Sequence, residues 1–209
     1  MREKLIQRYT PPERANHWVV AIAFVLLALS GLALFHPSLY WLSSLFGGGP
    51  WMRILHPFIG VVLALSFVAL ALRLWRFNRM SKDDEQWLCQ IGDVMRNRDS
   101  KLPEAGRYNA GQKLLFYVMV ACVALLLLSG IVIWRPWFAG AFPLVMVRLG
   151  AVIHALSAFV LIAGIIVHIY AAILTKGSIH AMVRGTVPQA WARKHHPAWY
   201  REMTEGSNR

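Results

Sequence analysis

The sequence predicts an all-α integral membrane protein, a four-helix bundle with a cytoplasmic surface helix between its second and third spans. Of its 209 residues, 57% are hydrophobic and only 15% are charged, and the mean hydropathy is +0.46. This composition is too apolar for an ordinary soluble domain. Four apolar stretches are long enough to cross a bilayer, which takes roughly 20 residues. We expect spans at about 11–35, 54–75, 111–134 and 147–174, within a single membrane domain over residues 1–209.

The first span is predicted to begin before its apolar residues. Thr10, Pro11, Pro12 and Glu13 form a capping-box pattern with proline at the first helical position, which places His17 inside the helix. The stretch is long for the apolar region of a signal peptide, and no small-residue cleavage site follows it. We therefore interpret it as a retained span.

A further helix is predicted in the loop between spans two and three. Ser81 and Asp84 mark its start. Five apolar residues then fall on one helical face: Trp87, Leu88, Ile91, Val94 and Met95. Such a helix either lies on the membrane surface or packs against a partner subunit, and the sequence favours neither over the other.

Basic residues set the predicted orientation. The chain has 22 Lys and Arg against 10 Asp and Glu, a net charge of +12. Eighteen of the basic residues precede span one, lie between spans two and three, or follow span four, whereas three lie on the opposite face. We expect the chain in a bacterial inner membrane, and the positive-inside rule then puts both termini and the long loop on its cytoplasmic side. This distribution favours anionic lipid headgroups over nucleic acid as the partner of the charge.

Four of the eight histidines lie in or at the edges of the spans: His17, His56, His154 and His168. An imidazole in hydrocarbon is costly unless its nitrogens find partners, so intramembrane histidines mark pathways, relays or metals. His154 and His168 are 14 residues apart, on one helical stripe and about 21 Å apart in height. Each needs a partner at its own level. The order of the spans pairs His56 with His154 at the periplasmic level and His17 with His168 at the cytoplasmic level.

Two histidines that face each other across an apolar bundle are what a six-coordinate haem requires, so we predict two b-type haems with these iron ligands. Zinc fits less well, because no acidic residue or cysteine lies at either level within the spans. The alternative for each histidine alone is a core residue that is hydrogen-bonded to a neighbouring helix. The other four histidines are expected at the surface: His36, His180, His195 and His196.

Each span also contains a small residue: Gly31, Gly60, Gly130 and Gly164. A glycine in a span lets either a flat macrocycle or another helix come close. Close helix packing is the commoner reason, and the sequence leaves both open.

Six segments of the chain are similar to one known family. They are RYTPPERANHW (8–18), RILHPFIG (53–60), RYNAGQK (107–113), SGIVIWRPWF (129–138), IVHIYAA (166–172) and ARKHHPAWYRE (192–202). Together they resemble the cytochrome b (gamma) subunit of respiratory membrane-bound formate dehydrogenase over nearly the whole chain. Two departures are visible: His36 stands where an aromatic residue is expected, and the tail after Met203 is shorter than usual.

The resemblance implies the same two histidine pairs as haem ligands. It also implies that the chain is the quinone-reducing subunit of the complex, which takes electrons from an iron–sulfur beta subunit and passes them to menaquinone or another quinone at the cytoplasmic side. Formate is then oxidised by a molybdenum or tungsten alpha subunit in the periplasm, and this chain has no catalytic residue for that reaction. Complexes of this kind often multimerise, so a higher oligomer is expected.

A polar turn just before span three is the predicted quinone site. Asn109 and Gln112 offer amide donors for a quinone carbonyl, and Gly111 lets the backbone approach the ring. Spacing alone favours a different role, a helix cap formed by Asn109 and Gln112. The resemblance favours the quinone, and the two roles are compatible.

Two other functions remain open from the sequence. The same cytochrome module serves equally well in a related complex, such as a nickel–iron hydrogenase or a thiosulfate reductase, which the co-purifying subunits would identify. A histidine-dependent transporter or membrane anchor is the second alternative, and it would show no haem absorption bands.

Overall fold

A computed structural model describes residues 4–92, 103–135 and 137–205. Its helices are α1 Pro11–Phe35, α2 Gly49–Leu74, α3 Lys82–Cys89, α4 Ala110–Ile133, α5 Leu144–Leu174, α6 Ser178–Arg184, α7 Gln189–His195 and α8 Pro197–Glu205. Short 3₁₀ helices cover Pro37–Phe46, Trp75–Phe77 and Ala139–Ala141. Strands β1 Leu5–Gln7 and β2 Thr186–Pro188 pair antiparallel, with Ile6 opposite Val187.

Within the described part of the chain, four helices are long and apolar enough to cross a membrane, which confirms the predicted all-α membrane class. They are α1, α2 with its 3₁₀ extension, α4 and α5, with 25, 29, 24 and 31 residues and hydropathies of 2.6, 2.3, 2.7 and 2.4. In each helix, at most 22% of an apolar stretch of 18 residues is buried inside the protein. Side chains such as Leu65, Leu72 and Val145 are instead more than two-thirds exposed, which suits contact with lipid. The chain is therefore a multi-pass membrane protein.

Helix α1 begins where its capping pattern predicts. The carboxylate of Glu13 accepts hydrogen bonds from the backbone N–H of Thr10, at 2.8 Å, and from its hydroxyl, at 3.0 Å. The helix starts at the next residue, Pro11, which places His17 at the end of its second turn.

Helix α2 begins about five residues before its predicted start. Gly47 and Gly48 adopt positive φ values of 81° and 96°, which suit glycine, and they turn the chain directly into a helix that starts at Gly49. The prediction followed the apolar run and missed this turn. As a result His56 lies two turns inside the helix instead of opening the span.

The bundle unit consists of residues 15–71 and 118–169. Its core contains residues from all four spans: Ala23 of α1, Leu63, Ala64 and Phe67 of α2, Cys122 and Val123 of α4, and Leu161 of α5. Several of these side chains are small, and small residues let membrane helices approach closely. This unit carries all four span histidines.

The loop unit consists of the described residues within 1–14, 72–117 and 170–209. Its core contains Ala181, Val187, Ala192 and Trp199, with Ile6 and Tyr9 packed against them. The predicted helix between spans two and three is present as α3, with both hydrogen bonds of the Ser81 and Asp84 capping box. This helix is shorter than predicted, because it ends at Cys89 and Gln90 forms a turn, so of the predicted apolar face only Trp87 and Leu88 lie on it. Ile91 follows the turn, and Val94 and Met95 lie outside the described residues.

The prediction that four histidines lie at the surface was wrong for His196. His36 and His180 are exposed and His195 is half-buried, but only 4% of His196 is exposed. Its ring bridges the Gly106 carbonyl oxygen, 2.8 Å from Nδ1, and the Arg8 guanidinium, 3.2 Å from Nε2. These partners are far away along the chain, so no local pattern around His196 indicated its burial.

Candidate functional site

The structure brings the four span histidines together in the two predicted pairs. The ring centroids of His56 on α2 and His154 on α5 are 6.3 Å apart, with an interplanar angle of 61°. Those of His17 on α1 and His168 on α5 are 6.4 Å apart, at 44°. Helix α5 therefore supplies one histidine to each pair, and the 14-residue spacing of His154 and His168 separates the pairs by about 21 Å along its axis.

The separation within each pair suits one metal ion held between two imidazoles. A metal–imidazole bond is about 2 Å long and the ring centre lies about 1 Å further on, so two opposed ligands put their centroids about 6 Å apart. Among the described residues, no three His, Cys, Asp or Glu side chains gather as a metal site. Each site thus offers two imidazoles at a spacing that suits one metal ion, which fits haem iron, whose porphyrin supplies four ligands of its own, better than tetrahedral zinc.

A cavity of about 520 Å³ opens beside the His56 and His154 pair. Pockets for cofactors and ligands fall in the range of roughly 300–1,000 Å³. Its walls are mostly apolar and come from all four spans, including Leu27, Leu126 and Phe159. An apolar pocket with two opposed imidazoles is the setting that a flat, hydrophobic macrocycle needs.

Three of the four span glycines line this cavity: Gly31, Gly60 and Gly130. A Cβ added to Gly60 would meet only the Leu27 side chain, at 4.0 Å. This glycine therefore opens space in the cavity and does not mark a tight helix contact. Gly31 and Gly130 instead lie against imidazole rings, because an added Cβ would be 3.5 Å from His56 Cε1 and 3.4 Å from His154 Cε1 respectively.

Hydrogen bonds orient the His56 and His154 rings. His56 Nδ1 lies 2.7 Å from the Ser30 hydroxyl oxygen on α1, and His154 Nδ1 lies 3.0 Å from that of Ser129 on α4. Sequence analysis missed both serines. The signal was present, since Ser-Gly occurs once in span one and once in span three, 25 or 26 residues before the histidine of the following span.

Two arginines also line the cavity, and sequence analysis gave them no site role. Arg53 lies one turn before His56 on α2, and Arg135 follows the end of α4. Both are exposed, and neither forms a salt bridge with an acidic residue of the described chain. They leave two positive charges at the cavity for acidic groups of a bound molecule.

His17 has different surroundings. Its neighbour Asn16 donates a hydrogen bond to the Ser66 carbonyl oxygen at 3.0 Å, which ties α1 to α2 at this level. The ring of Trp18 contacts that of His17 edge-on, with centroids 5.5 Å apart. His17 Nδ1 is buried and has no hydrogen-bond partner among the described residues.

The polar turn before α4 forms the reciprocal cap that spacing favours. The Asn109 side-chain oxygen accepts from the Gln112 backbone N–H at 2.9 Å, and the Gln112 side-chain oxygen accepts from that of Asn109 at 3.0 Å. The amide NH₂ groups of both residues donate no hydrogen bond within the described chain. A Cβ on Gly111 would lie 3.3 Å from the Trp87 ring, so packing against α3 accounts for this glycine.

Comparison with known proteins identifies a family and several relatives of high identity. The family model described as prokaryotic cytochrome b561 matches residues 8–185. Formate dehydrogenase, cytochrome b556(fdo) subunit, of Escherichia coli (strain K12) is 46% identical over 202 residues, which cover 97% of this chain and 95% of the relative. The nitrate-inducible cytochrome b556(Fdn) subunit of the same strain is 42% identical over 97% of this chain and 93% of its own length. Formate dehydrogenase, cytochrome b556 subunit, of Haemophilus influenzae is 39% identical over 94% and 83%.

Proposed function

The chain belongs to the prokaryotic cytochrome b561 family, and from this premise we propose that it is the two-haem cytochrome b subunit of a membrane-bound formate dehydrogenase, carrying electrons to quinone. A cytochrome b holds haem b, and the two histidine pairs would hold one haem each through their imidazole nitrogens. This pairing is the observation that carries the proposal. The names of the relatives, each a cytochrome b556 subunit of formate dehydrogenase, support the choice of complex.

Each part of the bundle unit has a distinct task toward the haem. His56 with His154, and His17 with His168, would hold the iron through their imidazole nitrogens, and the apolar walls of the cavity beside His56 and His154 would exclude water. Arg53 and Arg135 are suited to the two carboxylates of the macrocycle. When bound, haem supplies one-electron chemistry at its iron, and the protein sets its distance, orientation and surroundings.

The loop unit supports the proposed orientation, with both termini in the cytoplasm. Its three basic segments lie together: Arg107 donates to the Arg8 carbonyl oxygen at 2.8 Å, Arg8 contacts His196, and Arg201 pairs with Glu104. Segments in mutual contact share one side of the membrane, and the excess of basic residues favours the cytoplasmic side. An electron that moves inward against an inside-negative potential stores about 2.3 kcal/mol per 100 mV.

Iron–sulfur and molybdenum or tungsten catalytic subunits are the proposed partners on the periplasmic side, and the His56 and His154 site is then the first to receive electrons. The order follows from the proposed orientation, since His56 and His154 each lie near the start of a span that runs from the periplasmic side inward. The cytoplasmic level then belongs to His17 and His168, where quinone accepts electrons and takes up protons.

For the quinone site we propose the turn that contains Asn109, Gly111 and Gln112. Gln112 is exposed and Asn109 is half-buried, and their amide oxygens are used in the cap while their NH₂ groups stay free to donate to a quinone carbonyl. The cap thus holds both donors in place. Replacement of Gln112 by Glu keeps the capping oxygen and removes the NH₂ group.

Haem content and spectra test the main proposal. The wild-type complex should show reduced-minus-oxidised b-type bands and two haems per chain, whereas His154→Ala and His168→Ala should each lose one. His180→Ala, at an exposed histidine outside the spans, is the matched control and should keep both. A wild-type chain without haem would refute the proposal, and so would two haems in both ligand variants.

Partners and quinone need separate measurements. Mass spectrometry of the purified complex should identify the iron–sulfur and catalytic subunits of a formate dehydrogenase, and hydrogenase subunits in their place would refute that assignment. Gln112→Glu should leave both haems reducible by formate but slow their reoxidation by quinone. If reoxidation keeps its wild-type rate, this turn is only a helix cap.

A further inference from the structure

Two Ser-Gly dipeptides occupy matching positions beside the His56 and His154 rings. Ser30 and Gly31 lie on α1 beside His56, and Ser129 and Gly130 lie on α4 beside His154. In each case the serine approaches Nδ1 and the glycine lies against Cε1. The inference below rests on the proposed function, in which these two histidines are the axial ligands of one haem.

The direction of each hydrogen bond follows from the donors that are present. The Ser30 hydroxyl lies 2.8 Å from the Leu26 carbonyl oxygen, and the Ser129 hydroxyl lies 2.6 Å from that of Leu125. A hydroxyl has one proton, and a carbonyl oxygen can only accept it. The serine oxygen is then left to accept a hydrogen bond from the imidazole.

Ligation of a metal requires the same arrangement. A neutral imidazole that binds through Nε2 carries its proton on Nδ1, and that N–H needs an acceptor when it is buried. Ser30 and Ser129 are such acceptors, and they are 0% and 5% exposed. The chain from Nδ1–H through the serine hydroxyl to the helix carbonyl is therefore complete on both sides of the cavity.

The glycines make this approach possible. An added Cβ at Gly31 or Gly130 would stand 3.5 Å or 3.4 Å from the imidazole Cε1, so any larger side chain at these positions would push the ring away from its serine. Each dipeptide thus combines one hydrogen-bond acceptor with one position that clears space for the ring.

In the pair of His17 and His168, at least one imidazole has no hydrogen-bond acceptor at Nδ1 within the described chain. His17 Nδ1 is buried without a hydrogen-bond partner among the described residues. An imidazole whose N–H is hydrogen-bonded is the more basic ligand, and a more basic ligand stabilises oxidised iron over reduced iron. The two sites therefore differ in how strongly their ligands favour the oxidised state.

We propose that Ser30 and Ser129 are positioning residues that hold the Nδ1–H of His56 and His154 and so lower the reduction potential of that haem below that of the haem at His17 and His168. Fe(III) takes up one electron to give Fe(II) in both sites, and only the balance between these states changes. The electron passed inward then moves to the site of higher potential, which partly offsets the work done against the membrane voltage.

Potentiometric titration of the intact complex tests this proposal, with haem absorption as the readout. Ser30→Ala and Ser129→Ala should each shift the oxidised-to-reduced ratio of one haem about tenfold toward the reduced state, which is about 59 mV for one electron. The potential of the other haem should stay in place. Ser157→Ala, at a buried serine on α5 that forms no hydrogen bond to a histidine in the described chain, is the control and should change neither.

Threonine variants of the two serines separate loss of the hydroxyl from a general disturbance of the site. Ser30→Thr and Ser129→Thr keep a hydroxyl that can also bond to the i−4 carbonyl, so they should keep the wild-type potential. Loss of one haem in an alanine variant but not in the matching threonine variant supports the proposal, because the threonine variant keeps the hydroxyl that accepts from the imidazole and the alanine variant does not. Unchanged potentials in the alanine variants, an equal shift of both haems, or haem loss in the threonine variants overturns it. Haem content of the wild type tests the proposed function separately, so a failure of the proposed function can be distinguished from a failure of the serine proposal.

Discussion

The buried ring of His196 should make the stability of the C-terminal segment depend on pH. Burial, together with the charge of Arg8 beside it, lowers the pKa of His196 to about 3, whereas an unfolded histidine has a pKa of about 6.5. Between these values the unfolded segment binds one proton more than the folded one. Stability is therefore complete above about pH 6.5 and falls as the pH drops, by up to about 1.4 kcal/mol per pH unit.

The size of the effect follows from these two values. Between about pH 7.5 and about pH 5 the segment should lose about 2 kcal/mol, which is roughly a 30-fold increase in its opening constant. Arg8, which contacts the ring, stays charged in this window. The neighbouring His195 also has a pKa lowered by burial, and the His195→Gln variant separates its contribution from that of His196. The pKa of Glu104 is held below its usual value by Arg201, so its contribution is lost only at lower pH.

Hydrogen exchange measured by mass spectrometry is the assay, on peptides from residues 189–205 in the lipid-embedded complex. His196→Gln removes the titrating group but keeps one acceptor for Arg8 and one donor for the Gly106 carbonyl, so its exchange, after correction for intrinsic rates, should become nearly independent of pH. His195→Gln, at the half-buried neighbour, is the matched control and should keep most of the dependence. Equal pH dependence in the wild type and His196→Gln would refute this account.

Three further predictions follow from the topology, the glycines and α3. Alkaline phosphatase should be inactive when fused after Arg209 and active when inserted near Gly48, and the reverse pattern would invert the proposed electron path. Gly130→Ala should keep both haems, because its methyl group stands 3.4 Å from the His154 ring, whereas the larger side chain of Gly130→Val should displace the ring and cost one haem per chain. Asp84→Ala removes the carboxylate half of the α3 capping box and the 2.6 Å bond from Lys113, while the Ser81 hydroxyl can still accept from the backbone N–H at position 84; it should destabilise α3 locally by about 2 kcal/mol, measured by hydrogen exchange.

The sequence predicted those features that depend on local pattern. Apolar runs of span length are visible without knowledge of the fold, and so are the caps at Thr10 and Ser81. The histidine pairing also followed, because the order and direction of the spans fix the level of each residue. The start of α2 was missed because it depends on the backbone conformation of Gly47 and Gly48, which hydropathy does not report.

The features that were missed depend on contacts between distant parts of the chain. His196 is buried by Arg8 and Gly106, and β1 pairs with a strand about 180 residues later. Three-residue strands have no periodicity that stands out from a loop. Ser30 and Ser129 were missed for another reason, since a serine in a span has an ordinary role as a helix-packing residue, and only its distance to the ring reveals the bond.

The pairing of β1 with β2 also depends on correct insertion of all four spans, because the two strands can pair only on the same side of the membrane. Four crossings separate the two strands, and an even number returns the chain to the side where it began. If one helix fails to insert, three crossings leave the strands on opposite sides of the bilayer, and neither finds its partner. At roughly 5–20 residues per second, β2 is made about 10–40 s after β1, so closure of this ribbon is among the last events of synthesis. An unpaired strand would leave its backbone N–H and C=O groups exposed, and such a misinserted chain should be degraded faster than a correctly inserted one.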